Sequence, residues 1–233
     1  MALARTLLQM RTSARQRAAM ENSQFVTDPE VDEYLNYGLE QLYDKLIAAR
    51  GQNYYRSIQT VTTVANQSLY ALASDFYQLI SGDWQVSTGG GNPLMISLRP
   101  YNEAERNRYR WYPGWYYNRP VYYQLQGNNI SFIPMPAGVN TVFLNYVPAF
   151  IRLVNNGDTF DGVSGWEEWA IWSAVVDMLS KEESDVSVPM AKMAAREMRI
   201  TGLAPDRDAG DAPRVQEIDD NGDGWGGWDG GGY

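Results

Sequence analysis

The sequence predicts an α+β fold in which helices from both ends of the chain share a layer beside a β-rich middle. Three observations predict it. Apolar residues recur at three- and four-residue spacing near both ends, over residues 2–50 and 165–201. Short β-branched and aromatic runs, punctuated by Asn, Gly, Ser and Asp, fill residues 54–150. All periodicity stops near Ala204. Period 3.6 marks amphipathic helices, short β-rich runs mark strands, and helices that flank strands in the chain can pack as one layer. The expected organisation is one domain over residues 1–204 and an acidic, Gly- and Trp-rich arm over residues 205–233.

Residues 2–20 are rich in helix formers and place Leu3, Leu7, Met10 and Ala14 on one face. A second helix is predicted over 28–50. Thr27 and Glu30 stand at capping-box spacing, Pro29 sits in the first turn, and Val31, Leu35, Leu39, Leu42 and Leu46 form the apolar stripe. Gly51 can supply a left-handed cap. Strands are expected at 57–64, 68–72, 76–86 and 94–100, with GGGN at 89–92 as a turn. Residues 102–112 read as a short helix or loop, 121–136 as a hairpin turning at Gly127–Asn129, and 141–148 as a last strand. Helix returns at 165–184, capped by Ser164 with Glu167, along a stripe of Trp166, Trp169, Trp172 or Ser173, Val176 and Leu179. Pro189 opens a fourth helix over 189–201 that stops at Gly202.

Composition narrows the function. The chain has no cysteine and no histidine, which removes disulfides, thiolate chemistry, Ser-His and Cys-His nucleophile pairs and most transition-metal ligands. No apolar run reaches the ~20 residues that span a bilayer, and arginines interrupt the apolar start. An Arg-rich, acid-poor start shares the composition of a transit peptide, yet the reading preferred is an unprocessed soluble chain. Sixteen tyrosines and eight tryptophans exceed what one core of this size needs, and such residues concentrate at interfaces. Charge is segregated. Residues 205–233 carry eight acids against Arg207 and Arg214, so −6 of the net −9 lies in the arm and −3 in the body. Arg5, Arg11, Arg15 and Arg17 stand in the first twenty residues without an acid, and five arginines between 99 and 119 face only Glu103 and Glu105. Such segregation suits partners better than catalysis.

The candidate motifs are few. Asp219, Asn221, Asp223 and Gly224 open like a calcium loop, but Gly230 stands where the bidentate glutamate belongs and no helix follows, so no metal site is expected. Glu167 with Glu168, or Glu182, Glu183 and Asp185, are the carboxylates available for acid–base work. Adjacent helical residues diverge by about 100°, however, and acids at a helix start are explained by capping and the dipole. No catalytic residue and no cofactor is therefore assigned. STGGGNP lacks the lysine of a phosphate loop. RNRYRWYPGWYYNRP at 106–120 mixes cations with aromatics, as protein hot spots and single-strand binders both do. Protein contact is preferred, through Arg106, Arg108, Arg110, Trp111 and Trp115, with Trp225, Trp228 and Tyr233 of the arm as further partner-binding residues.

Two stretches carry a family resemblance. GDTFDGVSGWEEWAIWSAVVDMLSKEESD, followed by a further helix and RDAG, resembles the final helical pair of head-to-tail adaptor proteins of tailed bacteriophages. TLLQMRTSARQRAAMENSQFVTDPEVDEYLNYGLEQLYDKL, then SLYALASDFYQLI and LRPYNEAERNRY, resembles the rest of that family, which includes tail accessory factors of short-tailed phages. The resemblance runs over residues 1 to about 210. It implies a structural virion protein forming a homo-oligomeric ring, commonly of about twelve subunits. Such a ring docks between portal protein and tail nozzle, with genomic DNA passing its channel in non-specific contact during ejection. It implies location in the virion at the head–tail interface, after assembly in the host cytoplasm and without a membrane partner. In relatives the C-terminal segment often reaches the portal. Two other readings compete, a cell-wall-degrading tail enzyme and a carbohydrate-binding tail module suggested by the aromatic β-rich middle.

Overall fold

The structure, a computed structural model, describes residues 4–50, 52–86, 93–107, 121–160 and 165–203. Four α-helices and two sheets among these residues make the fold α+β, as the sequence predicts. The helices are α1 (Leu7–Arg17), α2 (Asp28–Arg50), α3 (Glu167–Lys181) and α4 (Ser187–Leu203).

Helix α2 has the predicted bounds. Glu30 reaches back to the Thr27 amide at 2.9 Å, as half of a capping box, and the Thr27 hydroxyl donates to the same carboxylate at 3.1 Å. The other three helices differ from expectation at their ends. Helix α1 begins five residues later than position 2, because Thr6 caps it: its hydroxyl accepts from the Gln9 amide and the Gln9 side chain accepts from the Thr6 amide. Before that cap the backbone is engaged elsewhere, with Thr6 bridging Thr159 and the Leu7 amide donating to the Asp158 carbonyl at 2.9 Å.

Helices α1 and α3 each stop three residues short of the predicted end, for one reason. Ala19 and Glu183 adopt left-handed φ of 55° and 58°. Met20 then donates to the Arg15 carbonyl, and Ser184 to that of Leu179. This is the six-residue closing loop that normally recruits glycine, so its alanine and glutamate versions leave no sequence signal. Helix α3 is capped by Trp166 with no side-chain hydrogen bond, while Glu167 accepts from the Gly165 amide at 3.0 Å. The Ser164 cap and the Gly51 cap lie outside the described residues. Helix α4 starts two residues before Pro189, where the Asp185 carboxylate accepts from the Ser187 amide and hydroxyl, and it continues through Gly202.

The strands are β1 (Ser57–Thr62), β2 (Leu69–Ala71), β3 (Phe76–Val86), β4 (Leu94–Ser97), β5 (Arg99–Pro100), β6 (Tyr122–Gln126), β7 (Asn129–Ile133) and β8 (Thr141–Pro148). One sheet has the order β1-β8-β3-β4 and the other β2-β7-β6-β5, antiparallel except for β5 beside β6. The predicted hairpin is present: Gln126 pairs with Asn129 across a turn opened by Gly127 at φ 57°. The predicted 94–100 strand divides into β4 and β5, which join different sheets, and residues 102–112 begin with a 3-10 turn over Glu103–Glu105. The GGGN turn lies outside the described residues.

The two sheets face each other over a core of Trp84, Phe132, Val142, Leu144, Ile130 and Tyr70. Trp84 meets Phe132 edge-on at 5.5 Å between ring centroids. A second core lies in the helical layer, and β8 serves both, with Leu144 in the first and Val147 in the second. Helix α3 packs on α1, α2 and α4, so its buried surface is wider than the predicted stripe. Trp169, Ala170, Ile171, Ala174, Val175 and Met178 are buried, whereas Trp172, Val176 and Leu179 are half-buried.

The approach of α2 to α3 depends on Gly38. A Cβ there would stand 3.0 Å from the Ala170 carbonyl oxygen and 3.1 Å from its Cα, and helical backbone cannot yield as a side chain does. Gly38→Ala is expected to lower stability by up to about 1 kcal/mol, since crowding against backbone outweighs the helix-propensity gain. Gly38→Val should lower stability by about 1–3 kcal/mol, read from chemical denaturation.

Candidate functional site

The four arginines of the start, which have no acid near them in sequence, are paired with acids inside the fold. The Arg11 guanidinium forks onto Asp32 with contacts of 2.7 and 2.6 Å and also donates to Asn156 at 3.0 Å. Arg15 donates to Asp28 and to the carbonyls of Met20, Ser23 and Val26, so one side chain holds the whole α1–α2 connection. Planar forked donors suit such multiple acceptance better than a point charge would.

Arg5 and Arg17 converge on Glu168 of α3. Arg5 lies 2.7 Å from one carboxylate oxygen, Arg17 lies 2.8 Å from the other, and Arg17 also stacks at 4.8 Å over the Trp172 ring. Burial pushes this carboxyl up, but the hydrogen bond from Arg17 and the charges of Arg17, Arg5 and Arg196 outweigh it, so Glu168 sits below its ordinary value of 4.5. At the far end of α3, Lys181 donates to Glu30 at 2.6 Å and to the Phe25 carbonyl. That bond, with the Thr27 amide, holds Glu30 down to about 2.

With those charges consumed, two helix faces are left toward solvent. Along α2, Glu33, Tyr37, Glu40 and Asp44 recur every three or four residues on one arc and are exposed. Tyr37 donates to Glu33, Tyr77 donates to Asp44, and Arg152 stacks at 5.0 Å over Tyr37. Among the described residues none of the three carboxylates has an ion-pair partner. Along α4 only Pro189 and Ile200 are buried. Val188 is 62% exposed and Met198 72%, with Ala191, Lys192 and Ala195 exposed between them and Arg199 exposed just after. Solvent-facing apolar residues arrayed on one helix side mark a contact surface more often than a free one. Beside the start of α1, a cleft of about 630 Å³ is lined by Tyr43, Tyr55, Phe150, Phe160, Arg152 and Asp158.

Of the sequence-predicted partner residues, Arg106 is described. It is half exposed and pairs with Glu103 at 2.7 Å, three residues back. Arg108, Arg110, Trp111, Trp115, Trp225, Trp228 and Tyr233 lie outside the described residues. The described tryptophans serve the interior: Trp84, Trp166 and Trp169 are buried and Trp172 carries Arg17. The α2 and α4 faces are sites that sequence reading missed. Their spacing is visible in the chain, but a solvated helix face has the same spacing.

The catalytic candidates fare poorly. Glu167 is buried and engaged with backbone, and Glu168 is clamped by two arginines with its pKa moved away from the range a general acid needs. Among the described residues no group of three acidic side chains is placed to hold a metal, and no helix is long and apolar enough to cross a membrane.

The clamp has a pH signature. Because the folded-state pKa of Glu168 is depressed, its contribution is complete above 4.5 and is lost as pH falls below that value. Glu168→Gln should destabilise by about 3 kcal/mol at pH 7, since two half-buried guanidinium groups lose their counter-charge. Thermal unfolding between pH 7 and pH 3 should show a smaller loss for this variant than for the unaltered protein; equal losses would refute the assignment.

No curated protein matches the chain in sequence. The family model of the SU10 adaptor protein matches residues 5–216, which takes in all four helices and both sheets. The chain therefore belongs to the SU10 adaptor protein family, and it is a structural adaptor protein of a bacteriophage.

Proposed function

We propose that the chain is one subunit of a head-to-tail adaptor ring, of about twelve copies, that joins the portal to the tail nozzle and lets genomic DNA through its channel. Family membership supports the adaptor role, and the observation that carries the ring is the outward face of α4, seventeen residues of helix that bury only Pro189 and Ile200 within the subunit. A helix so poorly covered contributes little to a monomer's stability and needs a neighbour.

The described surface also suits a DNA channel. Transit requires no base readout and little positive charge, because each bound phosphate retards passage. The arginines of the start, which could have supplied such charge, are paired with Asp28, Asp32 and Glu168. In this reading residues 205–233 form a tether, with Trp225, Trp228 and Tyr233 on the portal, and Arg106, Arg108, Arg110, Trp111 and Trp115 make a second protein contact. The subunit resides at the head–tail interface of the virion after assembly in the host cytoplasm. The clamped state of Glu168 speaks against the cell-wall-degrading reading, and in the described β sandwich Trp84, Tyr70 and Phe132 are buried rather than displayed to a sugar.

Mass photometry of the full chain, alone and with its own phage's portal protein, tests the ring. A species near twelve times 26.3 kDa, free or added to portal, is expected. A chain that stays monomeric in both conditions overturns the reading. Deleting residues 219–233 should leave the thermal transition unchanged and weaken portal binding about tenfold or more, as loss of a two-tryptophan anchor does. Unchanged affinity would remove the tether.

A further inference from the structure

The ring reading leaves open which surfaces meet, and the two unpartnered helix faces answer with one register. At about 100° per residue, Val188, Ala191, Lys192, Ala195, Met198, Arg199 and Gly202 fall within about 120° of the α4 circumference, while Glu33, Tyr37, Glu40 and Asp44 occupy one arc of α2. The α4 face carries Lys192 and Arg199, and among the described residues neither has an ion-pair partner. The α2 face carries three carboxylates and the single stacked cation Arg152. One face is therefore cationic and apolar, the other anionic with an exposed tyrosine.

The spacings coincide. Lys192 and Arg199 are seven residues apart, as are Glu33 and Glu40, a rise of about 10 Å in each case. Run antiparallel, the helices put Arg199 opposite Glu33 and Lys192 opposite Glu40. Tyr37, four residues after Glu33, then falls opposite Ala195, four before Arg199. Run parallel, the charges still match, but Tyr37 lands on Arg196, a half-buried cation whose charge acts on Glu168. The small side chains of Ala191 and Ala195 offer a groove for a ring, which Arg196 does not. Antiparallel pairing satisfies charge and shape together.

We propose that α4 of one subunit packs antiparallel on α2 of the next, with Arg199, Ala195 and Lys192 meeting Glu33, Tyr37 and Glu40. The two surfaces are unlike, so the contact is heterologous and each subunit offers one of each. Such a contact propagates head to tail, and it closes into a ring when the rotation between subunits divides a full turn. The inference rests on the ring reading and names the lateral partner as a second copy of this chain.

The absence of cysteine allows a direct test in the full chain. Tyr37→Cys with Ala195→Cys in one chain, oxidised at concentrations where oligomers form, should give a ladder of disulfide-linked multimers on denaturing gels, and neither single substitution should. Glu33→Cys with Arg199→Cys should also give a ladder, and Glu33→Cys with Lys192→Cys should not; the reverse pattern overturns the antiparallel register. Lys192→Glu with Arg199→Glu should weaken self-association about tenfold or more, and adding Glu33→Lys with Glu40→Lys to the same chain should recover it. Oligomers that persist by mass photometry with no ladder from any pair overturn this interface but leave the ring standing. A chain that is monomeric alone and on portal overturns both.

Discussion

A carboxylate inside the helical layer sets the terms for the rest of this molecule. Glu168 is mostly removed from water at the start of α3, and a charge in that position has to be met by opposite charge or it destabilises the fold by several kcal/mol. Arg5 and Arg17 meet it, and both come from the other end of the chain. The chain's two ends are thereby fixed in one layer, with Trp172 under the Arg17 guanidinium closing the contact. Gly38 permits the same layer to be thin, because only a residue without a side chain lets the α2 backbone approach Ala170 so closely. Electrostatics chooses which helices meet, and close packing decides how near they stand.

This demand redistributes charge over the surface. Four arginines concentrated in the first twenty residues would make a cationic patch, yet each is turned toward an acid of α2 or α3. Asp28, Asp32 and Glu168 are consumed in return. Among the described residues, Glu33, Glu40 and Asp44 on α2 and Lys192 and Arg199 on α4 are exposed without an ion-pair partner. A segregation of sign that the sequence placed between the chain's segments reappears in the structure between two helix faces. Neither face has a reason to be so one-sided in an isolated domain, where mixed signs give better solubility and less self-repulsion.

Much of this was legible from residues alone, and the failures have a common physical source. The stripe of Val31, Leu35, Leu39, Leu42 and Leu46 defined α2 to the residue, and β3 and β8 were equally plain, because long periodic segments carry redundant signal. The ends of α1 and α3 were missed since Ala19 and Glu183 take the left-handed position that glycine usually announces. The stripe on α3 was half wrong because a helix covered on three sides buries a wide arc, and periodicity then ceases to distinguish in from out. The pairing of the arginines of the start was illegible for a different reason. Sequence shows charge segregation along the chain, but pairing happens in space, and Arg17 and Glu168 are 151 positions apart. The α2 and α4 faces escaped notice because matching them requires knowing that both lie bare.

The two cores divide the labour in a way that bears on how an adaptor is built. The β sandwich packs around Trp84 and Phe132, and its described strands are paired in two four-stranded sheets. The helical layer is less complete among the described residues, since α4 lies on α3, with a Lys45–Glu197 pair to α2, and most of its circumference is exposed. An element left uncovered within a subunit is stabilised by whatever covers it in an assembly, so, in the proposed ring, closure and the stability of α4 would be one equilibrium. In the proposed ring, lateral contacts would therefore be made by helices that each subunit has incompletely satisfied. The sandwich, the 106–120 segment and the arm would stay free to differ toward portal and nozzle without disturbing the closure.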